Sequence, residues 1–226
     1  MRTTLRPVIA EFVGTFFLCF PGIAAVVAEA YRPGLAGGAL GVALASGVGL
    51  AIGVTTTLAV SGGHLNPAIT IGLWSVGRVD AKRAILYIVA QLLAGIAAAF
   101  AVKGLFPVMA ATITQLGTPK LAVDISMPAG IAIEAIATFL LAWAMMGSCV
   151  DERAHKLGGF VVGLTFFVDV LAVGSMTGAA MNPARAFGPA LASGTSVGQI
   201  VYWIGPIIGA IVAMQIYERL MLAKQA

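Results

Sequence analysis

The sequence predicts an all-α membrane protein in which six transmembrane helices and two half-helices form an inverted repeat. Three observations predict it. Of 226 residues, 60% are hydrophobic and only 10% charged, with mean hydropathy +1.00, whereas a soluble domain is about 25% charged. The tripeptide Asn-Pro-Ala occurs twice in matched surroundings, SGGHLNPAITIGL over Ser61–Leu73 and TGAAMNPARAFGPAL over Thr177–Leu191. A third match pairs Glu11 and Thr15 with Glu134 and Thr138, each a Glu-x-x-x-Thr followed by apolar residues.

Crossing the hydrocarbon takes about 20 apolar residues. The first such span is Pro7–Glu29; it is too long for a signal-peptide core and holds Glu11, so it reads as a retained helix. The second is Leu35–Val60, after which the first Asn-Pro-Ala leads into a short segment, Ile69–Val76. The third is Ala81–Phe106, and Pro107–Asp124 reads as a loop. The fourth is Ile125–Val150, closed by the charged turn Asp151–Lys156. The fifth is Leu157–Met176; the second Asn-Pro-Ala and the short segment Ala184–Ala192 follow, then the sixth span, Gln199–Leu222. Together they make one membrane domain over 1–226, with halves of approximately 1–108 and 125–226. Three spans per half is an odd number, so the second half starts from the opposite face and the interrupted segments meet near the midplane. Small residues at every fourth position, Gly41, Ala45, Gly49 and Gly53 in the second span and Gly205, Gly209 and Ala213 in the sixth, predict close helix contacts.

The cations set an orientation. Arg2, Arg6, Arg78, Lys82, Arg83, Arg153, Lys156, Arg219 and Lys224 fall on one side, and Arg32, Lys103 and Lys120 on the other. Both termini are therefore expected in the cytoplasm, with the chain multi-pass in the plasma (inner) membrane. The net charge of +4 is scattered over loops, so no nucleic-acid surface is expected. Cys19 and Cys149 lie in apolar runs without metal-ligand spacing and read as buried free thiols. No HExxH, nucleophile–base pattern or cofactor motif is present, so neither an enzyme nor a metal or cofactor is expected.

Asn favours the position before a helix and Pro the first position within it. Asn66 and Pro67, and Asn182 and Pro183, should each start a helix of about ten residues, or about 15 Å. Neither spans about 30 Å alone. Two laid end to end from opposite faces would, and irregular backbone at that depth implies a wet cavity. Each capping Asn accepts a backbone N–H through its oxygen, which leaves its NH₂ to donate into the lumen. Two helix N-termini together, each about half a positive charge, oppose cations and protons.

The paired motifs Asn66-Pro67-Ala68 and Asn182-Pro183-Ala184, with the two Glu-x-x-x-Thr helices, resemble the aquaporins, the major intrinsic protein family, over essentially the whole chain. The resemblance implies the aquaporin fold, one pore per subunit, a homotetramer in the lipid bilayer, and passive passage of water and small neutral solutes. It also implies that Glu11 and Glu134 hold the loops before the half-helices, and that His64 lies beside the pore or braces a loop.

An arginine inside the membrane is a functional candidate by default. Arg185 matches the family's filter arginine, and Ser46, Val170 and Ala179 fall at the other filter positions. Water-selective members resemble Phe, His and a small residue there. Ser, Val and Ala resemble the nodulin-like subgroup, which passes glycerol and metalloid hydroxides, while Tyr202-Trp203 resembles the water channels. The expectation is a wide channel for water, glycerol, urea, and boric or arsenous acid. Its alternatives are a water-selective aquaporin and a secondary transporter, for which Asp169 is the only loose candidate as a titratable midplane group.

Overall fold

The computed structural model describes residues 2–155 and 157–222. Lys156 and Lys224, counted above among the inner cations, lie outside these residues, as does the side chain of Arg2. Every regular element among the described residues is helical. Helix α1 is Arg2–Tyr31 and α2 is Gly38–Ser61. The half-helix α3 is Pro67–Ser75, followed by α4, Ala81–Leu105. A short helix α5, Val108–Ile113, precedes α6, Met127–Met145. Then come α7, Gly158–Thr177, the half-helix α8, Pro183–Ser193, and α9, Val201–Ile216. A wider helical turn extends α6 over Met146–Val150 and α9 over Tyr217–Met221.

Local chemistry explains the boundaries. Glycines in the left-handed region end α2 at Gly62 (φ 92°), α7 at Gly178 (φ 83°) and α8 at Gly194 (φ 76°). Asp80 caps α4 by accepting the Arg83 N–H at 2.9 Å. The Glu29 carboxylate at the end of α1 accepts the N–H of Gly34 and of Gly38, and so ties α1 to the start of α2.

Six helices are long and apolar enough to span a membrane, and the half-helices have 9 and 11 residues. Packing repeats by halves: α1 lies on α2 and α4, as α6 lies on α7 and α9. The half-helices cross over, α3 onto α9 and α8 onto α4. Outward faces of the spans carry Phe17, Leu44, Leu93, Ile136, Leu164 and Ile208 in exposed positions, as lipid contact requires.

Two expectations change. The small-residue stripe of α2 makes its close helix contacts only at Gly49 and Gly53, which approach α1 at Phe17 and Gly14; Gly47, outside the stripe, meets the Gly163 carbonyl of α7. Gly41 turns to its own loop at Ala36, and Ala45 lines an outward groove. The segment Pro107–Asp124 is also more than a loop. It holds α5 and a tight turn at Gln115–Gly117, and it is anchored by Ala122 N–H to the Met176 carbonyl at 2.8 Å.

Candidate functional site

Two loops, Gly62–Asn66 and Gly178–Asn182, run to the centre and turn into α3 and α8. Both contain residues forced into the left-handed region: Leu65 (φ 52°) in the first, Ala179 (φ 45°) and Met181 (φ 51°) in the second. Side chains other than glycine resist this conformation, so something must hold it. Glu11 does so in the first half. One oxygen accepts the Ser61 hydroxyl at 2.6 Å and the His64 N–H at 3.0 Å. The other accepts the Leu65 N–H and the Gln91 amide, both at 2.7 Å. Glu134 does the same in the second half, accepting the Thr177 hydroxyl (2.7 Å) and the N–H of Ala180 (3.0 Å) and Met181 (2.7 Å). Both glutamates are fully buried. The Thr of each Glu-x-x-x-Thr bonds back to its own Glu carbonyl at 2.7 Å, Thr15 to Glu11 and Thr138 to Glu134.

Tyrosines outside the sequence-based set complete each hub. Tyr87 donates to the Ser61 carbonyl at 3.1 Å and Tyr202 to the Thr177 carbonyl at 2.7 Å. Their positions, 21 residues after Asn66 and 20 after Asn182, were a readable signal. Gln91 has no such counterpart: in α9 the matching place is Pro206.

Each Asn caps its half-helix. Asn66 Oδ1 accepts the Ala68 N–H at 2.8 Å; Asn182 Oδ1 accepts the N–H of Ala184 at 2.9 Å and of Arg185 at 3.3 Å. The sequence leaves each NH₂ free for the lumen; in the structure the amide nitrogens are not wholly free. Asn66 Nδ2 donates to the Met181 carbonyl at 2.8 Å, and Asn182 Nδ2 to the Leu65 carbonyl at 2.9 Å. The two tips are thus stapled reciprocally, and each amide keeps one N–H. A 10 Å³ cavity, about one water, is lined by both asparagines, His64, Leu50 and Phe166. His64 borders this cavity, and its Nδ1 lies 3.1 Å from Thr70 Oγ1 with Tyr87 edge-on to its ring.

At the end opposite the chain termini a cavity of 560 Å³ opens. Val170 and Arg185 share its wall with Val26, Val42 and Lys120. Arg185 is held by a carbonyl, with Nη1 donating to Gly117 O at 3.2 Å, and it makes no ion pair among the described residues. Gly117 belongs to the tight turn in which Gln115 and Leu116 also take positive φ. Ser46 and Ala179 are outside the lining of this cavity. Ser46 is buried beside Gly22 of α1 and donates to the Val42 carbonyl at 2.9 Å; Ala179 donates its N–H to Thr177 Oγ1 at 3.1 Å. Asp169 is 4% exposed, and its Oδ2 has no partner among the described residues. Both cysteines are free, Cys19 buried and Cys149 only half-buried.

Six spans and two opposed half-helices whose capping asparagines meet at a central cavity have the architecture of a membrane channel. A model of the major intrinsic protein family matches residues 1–217. Probable aquaporin TIP4-1 of Oryza sativa subsp. japonica is 39% identical over 229 residues, covering 98% of this chain and 89% of that one. Aquaporin AqpM of Methanothermobacter thermautotrophicus is 38% identical over 243 residues, covering 97% and 99%. The X-ray structure of the aquaglyceroporin from Plasmodium falciparum matches with a TM-score of 0.85 at 30% identity, over 96% of this chain and 97% of that one. The chain belongs to the major intrinsic protein family, and is an integral multi-pass membrane channel for water and small solutes.

Proposed function

We propose that this single-domain channel is wide, passing glycerol, urea, boric acid and arsenous acid as well as water, and excluding protons and ions. The observation that carries this reading is the 560 Å³ cavity at Arg185, whose lining holds Val170 and no aromatic ring or histidine. A permeant there meets Arg185 with Lys120, Thr114 and Thr118, among apolar residues such as Val26, Val42 and Val170. Ser46, beside Gly22, and Ala179 are the small residues assigned to the rest of the filter. Farther in, the remaining N–H of Asn66 and of Asn182 offers a donor to one oxygen at a time. Opposed helix N-termini, each about half a positive charge, disfavour a cation or proton at that point. The Plasmodium falciparum neighbour is by its name an aquaglyceroporin, which agrees with passage of a polyol.

The same proposal places both termini in the cytoplasm. Its support is that Arg78, Lys82, Arg83, Arg153 and Arg219 sit at the end carrying the termini, while Arg32, Lys103 and Lys120 sit at the other. A homotetramer completes the reading, and native mass spectrometry tests it. Light scattering on proteoliposomes challenged with water, glycerol, urea and boric acid tests the filter. Wild type should pass all four, and Ser46→Phe/Val170→His should narrow the pore to water. Exclusion of all three solutes by wild type would mean a water-selective channel; saturable, proton-coupled flux would mean a transporter.

A further inference from the structure

Beside the outer cavity lies a second one, of 260 Å³, that takes no part in the pore. Its walls are Lys103 at the end of α4, Thr112 and Gln115 after it, and Ser193 and Thr195 at the end of α8, over an apolar floor. Lys103 Nζ donates to the Ala192 carbonyl, the last turn of α8. An ammonium has three N–H donors, so two remain for a ligand. Around the polar pocket the surface is unusually apolar: Leu105 is 78% exposed and Met109 73%, with Val108 and Ile113 similar. Below Lys103 on the same face of α4, Phe100 lies under the ammonium at 5.7 Å and Leu93 follows two turns further down, both exposed.

A cation with hydroxyl and amide partners, set above an apolar track at the membrane-facing end of a spanning helix, has the chemistry of a phospholipid with an anionic headgroup. We propose that this pocket binds such a lipid, with the phosphate on Lys103 and the Thr112 and Thr195 hydroxyls and an acyl chain along Phe100 and Leu93. The pocket is joined to the filter on two sides. Gln115 and Leu116 directly precede Gly117, whose carbonyl holds Arg185, and Lys103 grips the helix that carries Arg185. Occupancy therefore steadies Arg185, and flux depends on the lipid. This last step rests on the proposed filter role of Arg185; binding itself does not.

Binding and flux are read separately. In native mass spectrometry the purified channel should retain phosphatidylglycerol over phosphatidylcholine. Lys103→Gln should weaken that preference about fivefold, the worth of one cation at a lipid surface, and Lys103→Arg should restore it. Should Lys103→Gln fail to fold, Thr112→Val and Thr195→Val remove headgroup partners and leave the α8 contact intact. An unchanged preference in these variants overturns the site. So does thermal stabilisation by inorganic phosphate equal to that by phosphatidylglycerol, which would make a free anion the ligand. In vesicles of phosphatidylcholine with and without phosphatidylglycerol, wild-type water flux per channel should rise with the anionic lipid. A lipid preference without that rise removes the coupling to Arg185 and keeps the site. Exclusion of glycerol and urea by wild type bears on pore width alone.

Discussion

At Glu11 two carboxylate oxygens face four donors, and at Glu134 they face three. Replacing Glu134 with Gln turns one oxygen into a donor aimed at other donors. A hydrogen bond to a charged group contributes about 1.5–3 kcal/mol, so Glu134→Gln should lower the thermal midpoint in detergent and reduce water flux. Asp169 presents the opposite case. Its Oδ2 is buried without a partner among the described residues, and a lone buried polar group costs about 1–3 kcal/mol. Asp169→Leu should therefore raise the midpoint in the same assay; a lower midpoint would reveal a partner. The two glutamates were legible because the repeat exposes any residue that recurs in register. Tyr87 and Tyr202 recur nearly in register too, but they are easily passed over, because tyrosine near a span end also reads as an interface anchor. The Asn amides were half legible. A cap depends on one helix alone, whereas the bond from Asn66 to Met181 depends on where the other half puts its carbonyl.

The half-helices could be seen in the sequence as segments too short to span, but their seats could not. Each lies on the last helix of the other half, α3 on α9 and α8 on α4, a pairing between residues far apart in the chain. The contact of α8 with α4 is backbone on backbone: a methyl at Gly188 would strike the Gly95 carbonyl, and one at Gly95 the Ala184 carbonyl. Overpacking of this kind costs about 1–3 kcal/mol. Gly188→Ala should lower the thermal midpoint, and because Arg185 rides on α8 it should cut solute flux more than an exposed change such as Ile204→Ala. Gly188 recurs with Ala184 and Ala192 at every fourth position, and Gly95 with Ala99, but that spacing does not say which helix each glycine meets. The turn at Gln115–Gly117 was hidden for another reason. Its shape follows from Thr118 meeting Ser193 at 3.1 Å and from Arg185 needing an acceptor, both tertiary facts.

Over the whole molecule, the end carrying the termini is cross-linked by charge. Arg78 pairs with Glu218 at 2.9 Å, joining the segment after α3 to the extension of α9. Arg153 bonds Asp151 at 2.7 Å and reaches the Met221 carbonyl at 2.8 Å, and the Tyr217 hydroxyl also contacts Asp151. The Arg153 guanidinium, more than its backbone N–H, holds the Asp151 carboxyl well below the usual carboxylate range. A lowered folded value means that this contribution to stability is complete above the unfolded value of about 3.9. It is lost only as pH falls through the lower, folded one. Asp151→Asn should thus melt earlier than wild type at neutral pH, and the two should converge only under strongly acid conditions. Meeting at pH 5 would assign the bond no such role.

The crossed seating of the half-helices also sets a timetable for synthesis. Half-helix α3 emerges early from the ribosome, yet the surface it packs on, where Gly72 lies against Ala210 and Met214, belongs to α9, the last spanning helix to be made. Until then the first half-helix has α4 beside it but lacks its larger seat. A nascent chain arrested after Ile200 should leave Pro67–Ser75 open to protease or to a thiol reagent at an introduced cysteine, and release of α9 should close it. Insertion of the first half and its maturation are then separate events, and a late truncation harms a segment translated long before the stop.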